Sequence, residues 1–208
     1  NATIDNKTNS KLTLAGNNHM LFNEESKCSI IGEGHLIMNE GTVHFTTASI
    51  LHQTSHIQLL NSSINGSNFG TWECENRLKI TESDWNRVKL NSSNTRLFLY
   101  ENTFSRGVFT LNNTSFNVTN CTFYYSIFKS TDHTNINHFS GNIIESEHGL
   151  MGAAVEFISG TYINIQENIF SEGEYGLILD NSKSTLTCNR FIGFDIALAL
   201  RGKNKTHM

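Results

Sequence analysis

The residues best suited to chemistry in this chain are Glu174 and Asp195, 21 positions apart, each four residues beyond a phenylalanine (Phe170 and Phe191), and His148, four beyond Ile144. If the chain folds back on itself with that period, the two carboxylates lie about one strand spacing apart, roughly 5 Å. Retaining glycosidases hold a nucleophile and an acid at about that separation, and like charges so close would raise the pKa of one of them. The competing reading is that acidic residues and His at such positions are ordinary solvated turn residues.

Other side chains could serve a binding surface. Trp72 lies in a polar stretch from Asn65 to Asn76 that also holds Phe69 and Glu75; read as a long connection, it would offer an indole to a sugar ring or cover a flank of the fold. Glu145 and Glu147 sit beside His148, ahead of Gly149 and Gly152, which permit a tight excursion. Tyr162 and Tyr175 would flank a groove around the acidic pair. Asp132, His133 and His138 form a looser group, but with no cysteine or third histidine at ligand spacing no metal is expected, and the acidic residues are too irregular for a calcium repeat. No cofactor is implied. Cys28, Cys74, Cys121 and Cys188 are far apart with no CxxC pair, which fits buried thiols and leaves a Cys28–Cys74 bridge open. The N-glycosylation sequons (Asn61, Asn65, Asn91, Asn113, Asn117 and Asn120 among them) are what an Asn/Ser/Thr-rich chain generates by chance.

The elements that must position these residues repeat. Aligned on Ile64, Trp85, Phe104, Phe123, Ile144, Phe170 and Phe191, the chain advances in steps of 19 to 26 residues. Five positions earlier stand Leu59, Ile80, Leu99, Val118, Phe139, Ile165 and Leu186; seven earlier stand Ile57, Leu78, Leu97, Phe116, Asn137, Ile163 and Ser184. These two columns share one strand face, whereas the aligned residue has the opposite parity, so a corner must intervene. Two before the aligned residue come Ser62, Ser83, Asn102, Cys121, Asn142, Asn168 and Asn189. Asn tolerates the left-handed conformation of a tight corner and can bond to its counterparts above and below as a ladder. A third strand follows, with Val88 and Leu90, Phe109 and Leu111, Val155 and Phe157, Leu177 and Leu179, and Leu198 and Leu200. Three strands and three corners per rung predict a triangular solenoid.

Residues 1–56 read as irregular starting rungs, built on Leu12–Gly16 and Ser29–Gly34, each followed by His and apolar residues. Residues 57–200 are the regular rungs and 201–208 a tail. The whole reads as one domain, a fragment of a longer rod.

Composition agrees with stacked strands. Charged residues make up 16% of the chain and Pro is absent, as expected where most backbone N–H groups serve a neighbouring rung. A net charge of −4 without a run of Lys or Arg argues against nucleic acid as a partner, and no apolar stretch approaches a membrane span.

The L-x-L-x-x-N-x-F rung, its Asn corner and the Ile30-Ile31-Gly32 run resemble the right-handed parallel β-helix of the pectin-lyase-like superfamily, over about Leu12 to Leu200. The resemblance implies an all-β, right-handed parallel β-helix of roughly nine to ten rungs. It also implies secretion or cell-surface display, since the superfamily includes polysaccharide lyases and hydrolases, phage tailspikes and surface adhesins. No residue matches a catalytic motif of that group. The first functional expectation is therefore a non-catalytic surface rod for adhesion, with a polysaccharide or a host-cell glycan or protein as partner. The alternatives are a carbohydrate-active enzyme using Glu174 and Asp195, and a structural spacer.

Overall fold

A computed structural model describes residues 2–5, 11–16, 18–22, 27–46, 49–132, 135–146, 153–160 and 162–207. The described residues form strands and turns with no helix, so none is long and apolar enough to cross a membrane. Every strand pairing is parallel and joins one rung to the next, giving a parallel β-helix with three faces. The first face contains ten strands: Lys11–Ala15, His35–Asn39, His56–Leu60, Leu78–Thr81, Arg96–Tyr100, Ser115–Thr119, Asn137–Ser140, Ile163–Gln166, Lys183–Thr187 and Lys205–His207. The second and third faces join into one sheet because several strands, such as Ser63–Cys74 and Ile169–Asp180, run unbroken around the corner between them.

The expected columns are the observed registers. On the first face Ile57, Leu78, Leu97 and Phe116 lie in register, as do Leu59, Ile80, Leu99 and Val118. On the second face the aligned residues pair from Ile64 through Phe191, and the column extends back through Val43 to Met20. Their side chains fill the interior: Phe104 stacks on Phe123 at 4.8 Å and Phe170 on Phe191 at 4.7 Å between ring centroids. Each buried Phe or Leu contributes about 1.5–3 kcal/mol, against about 1–2 kcal/mol per residue of backbone ordering. Only a continuous stack makes that balance favourable.

Four expectations are corrected. The third-face column runs Trp72, Leu90, Phe109, Phe128 and Val155, with Cys74, Ser92, Leu111, Ser130 and Phe157 beside it. Leu90 with Ser92, not Val88 with Leu90, is the counterpart of Phe109 with Leu111, because the two rungs keep the same 19-residue offset that pairs Trp85 with Phe104. The two N-terminal units are not equivalent: Lys11–Ala15 belongs to the first face, whereas Lys27–Ile31 belongs to the third. The supposed tail re-enters the fold, with Lys205–His207 pairing with Lys183–Thr185.

The fourth correction concerns the Asn corner. The left-handed residue is the one before the ladder position: Glu40, Asn61, Glu82, Glu101, Asn120, Glu167 and Cys188 have φ between 47° and 57°. The ladder side chains instead turn inward. The amide oxygens of Asn142, Asn168 and Asn189 accept the backbone N–H of Cys121, Asn142 and Asn168 at 2.9, 3.0 and 3.1 Å. Their amide nitrogens donate to the carbonyls of Val118, Phe139 and Ile165 at 3.1, 2.8 and 2.7 Å. A corner breaks the sheet ladder for one residue, and a buried donor or acceptor left there would be costly. Asn supplies both partners from within the core, and Ser62 and Ser83 do so more simply where they replace it.

Candidate functional site

The acidic pair stands where the spacing put it. Gly173 pairs with Phe194 and Tyr175 with Ile196, so Glu174 and Asp195 occupy matching positions on adjacent strands. Both are exposed. The described candidates among the others have partners of their own. Glu147 and His148 lie outside the described residues. Glu145, half-buried on the second face, accepts a 3.4 Å hydrogen bond from the Tyr125 hydroxyl. Tyr175 lies under the Arg201 guanidinium, 5.7 Å from its ring centroid.

Trp72 is not on a loop. The stretch expected as a polar connection is the strand Ser63–Cys74, and Trp72 is 1% exposed. It stacks on Trp85 at 5.8 Å and donates its indole N–H to Gln53 Oε1 at 2.8 Å. Alternation along a strand turns it into the core, and the intramolecular acceptor satisfies its polar edge.

The four cysteines are free thiols. Burial pushes Cys74 up to about 12 and Cys121 up to about 11, whereas Cys188 is exposed. Among the described residues no group of three or more His, Cys, Asp and Glu side chains is placed to hold a metal ion.

Tyr162 leads to a different surface. It is exposed on the first face, the Lys183 ammonium 5.3 Å from its ring centroid. With Asn164, Lys183, Thr185, Lys205 and His207 it lines a depression of about 240 Å³. Three more depressions continue down the same face: one bounded by Arg96, Phe98, Asn117 and His138, one by Glu75, Arg77 and Arg96, one by His35, His56, Gln58 and Lys79. The last three share His56, Arg77 and Arg96 as walls and form a shallow, solvent-open trough, and the Tyr162 depression lies beyond its end on the same face.

Its edge is a column of cations. Lys11 pairs with His35 and His35 with His56. Arg77 and Arg96 precede Leu78 and Leu97, which are in register with each other and with Ile57. The His35 and His56 rings meet edge to face at 4.7 Å, and the Arg77 guanidinium lies over Phe98 at 4.8 Å. Burial, then the neighbouring His35 and Arg77, lower the pKa of His56.

Apart from Tyr162, sequence reasoning missed this surface, although its signal was present. Eight positions before the second-face residues Val43, Ile64, Trp85, Phe104, Phe170 and Phe191 stand His35, His56, Arg77, Arg96, Tyr162 and Lys183. A stripe that adds at most one basic residue per rung never forms a run in sequence.

Fold and surface together define a parallel β-helix with an open, cation-edged trough along one face. No protein-family model matches the chain, and no curated protein does. Among solved structures it is similar to the crystal structure of PfbA, a surface adhesin of Streptococcus pneumoniae, with a TM-score of 0.45 and 9% identity, covering 95% of this chain and 84% of that one.

Proposed function

We propose that this chain is a non-catalytic, surface-displayed rod that holds an extended glycan against its first face. The observation that carries the reading is a row of open depressions on the first face, three of which share His56, Arg77 and Arg96 as walls. Amide side chains (Gln58, Asn117, Asn164) along it suit sugar hydroxyls. Its openness suits a chain that lies along the surface rather than a substrate enclosed for reaction. Binding of the isolated protein to an immobilised glycan panel tests this. A protein that binds no glycan better than a variant with its first-face outward side chains scrambled would end the proposal.

One observation favours a second reading, a carbohydrate-active enzyme: Glu174 and Asp195 do stand opposite each other. It requires a polysaccharide that the protein cleaves. If Glu174→Gln leaves that turnover unchanged, the assignment fails.

A further inference from the structure

We propose that the first face selects acidic glycans, linear sugar chains bearing carboxylate or sulfate groups, and that Lys11, His35, His56, Arg77 and Arg96 form the rail that takes their anions. The inference rests on the glycan-binding reading above and names the ligand class for the same surface.

Charge segregation is the central argument. The chain carries 19 Asp and Glu residues and a net charge of −4, yet none of those acids lies in the ten strands of this face. The same strands hold Lys11, His35, His56, Lys79, Arg96, His138, Lys183, Lys205 and His207. Four of the acids, Glu40, Glu82, Glu101 and Glu167, line the corner where the first face ends. A polyanion is thus drawn to one edge of the trough and repelled from the other, which fixes its line along the rod.

Spacing adds to this. Successive rungs are about 4.8 Å apart, so the rail presents one cationic or protonatable group per rung over five rungs. These groups stand next to one another, and the first-face strands place no carboxylate between them. Glu75 reaches the rim, but its carboxylate lies 3.8 Å from His52 on the third face. An anion laid on the rail supplies the opposite charge. Arg77, its guanidinium 4.8 Å over the Phe98 ring, is of the type suited to bidentate contact with carboxylate or sulfate.

The surroundings favour sugar over other polyanions. Single-stranded nucleic acid needs a succession of open aromatic platforms, and here Phe98 and Tyr162 are covered by Arg77 and Lys183. An acidic peptide added as a strand needs an open sheet edge, whereas this face presents only side chains. Gln58, Asn117 and Asn164 are suited to hydroxyl groups along a sugar chain. Burial and the neighbouring His35 and Arg77 lower the pKa of His56, which also faces Lys79 and Glu75. An anion on the rail favours its protonated form, so binding strengthens as pH falls below the ordinary histidine range.

The test compares binding of the intact protein to heparin (sulfated), alginate (carboxylated) and dextran (neutral), with single-stranded oligothymidylate as the charge control. The first variant is Arg77→Gln/Arg96→Gln; the second, Arg87→Gln/Arg106→Gln, removes equal charge from exposed corners between the second and third faces. Expected are binding to heparin and alginate but not dextran, a loss of roughly tenfold or more for the first variant, no change for the second, and weaker binding at higher salt. Equal losses for both variants would overturn the rail. Dextran binding insensitive to Arg77 and Arg96 would overturn acid selection while leaving the glycan reading intact. Oligothymidylate bound as tightly as heparin would replace the glycan by a generic polyanion. No binding to any probe would remove both readings.

Discussion

Asn168→Ala isolates what the inward amide ladder contributes. The Asn168 side chain is fully buried. Its oxygen accepts from the Asn142 backbone N–H and from Asn142 Nδ2, both at 3.0 Å. Its nitrogen donates to the Phe139 carbonyl at 2.8 Å and to Asn189 Oδ1 at 2.9 Å. Two of these partners keep other bonds after truncation: Asn142 Nδ2 still reaches the Val118 carbonyl and Asn189 Oδ1 still accepts the Asn168 N–H. The Asn142 N–H and the Phe139 carbonyl lose a partner at a buried corner, at about 1–3 kcal/mol each. The expected loss is therefore about 2–6 kcal/mol, a large share of a typical domain stability of about 5–15 kcal/mol. Asn86→Ala, an exposed substitution on the second face, should stay within about 0.5 kcal/mol. Denaturant titration of both variants measures the difference. Because a solenoid can open locally, hydrogen exchange at the Asn142 amide supplies a second readout. If Asn168→Ala is no less stable than Asn86→Ala and the Asn142 amide stays protected, the ladder is not what satisfies the corner.

Trp72→Phe should cost about 2–4 kcal/mol through the space it leaves and the stranded Gln53 acceptor; a variant as stable as the parent in urea would place the indole outside the core. The buried thiols predict alkaline instability. With folded values of about 12 for Cys74 and about 11 for Cys121 against an ordinary 9.0, the folded state keeps protons that the unfolded state loses above pH 9. Stability is therefore fully present below pH 9 and falls by about 1.4 kcal/mol per pH unit per thiol as pH rises toward those values, and Cys74→Ala should flatten the measured slope. In native protein near neutral pH a thiol reagent should modify Cys188 and leave Cys74 and Cys121 intact until denaturant is added; rapid native labelling of Cys74 would contradict its burial.

The core was legible in the sequence because packing repeats there with little freedom. Ile57, Leu78, Leu97 and Phe116 must all point inward at one register, so their spacing reveals the rung. The corners were half legible. Asn142 and Asn168 marked the right place, but the left-handed backbone falls one residue earlier, on Gly141 and Glu167. A propensity for positive φ does not distinguish the residue that bends from the residue that satisfies the bend. Trp72 was misplaced because Asn65, Ser67 and Glu73 around it are polar, as alternating outward residues of a strand can be. Parity, not local polarity, decides which side faces the core.

The cationic rail shows why surface function is hard to see in such a chain. His56, Arg77 and Arg96 each precede a core residue by one position, so a single alignment fixes both the buried column and the exposed one. The core residue is constrained by volume in every rung, whereas its neighbour is constrained only by what touches the face. Charge along that column can therefore be tuned rung by rung without disturbing Ile57, Leu78 or Leu97. Where the column changes from Arg96 to Ser115 and Ile136, then back to Lys183 and Lys205, the solenoid beneath continues unaltered. If the first face is the binding surface, substitutions in this column should shift ligand preference at nearly constant stability. Substitutions one position along, such as Leu97→Ala, should cost about 2–5 kcal/mol while leaving the preference of the remaining folded protein unchanged.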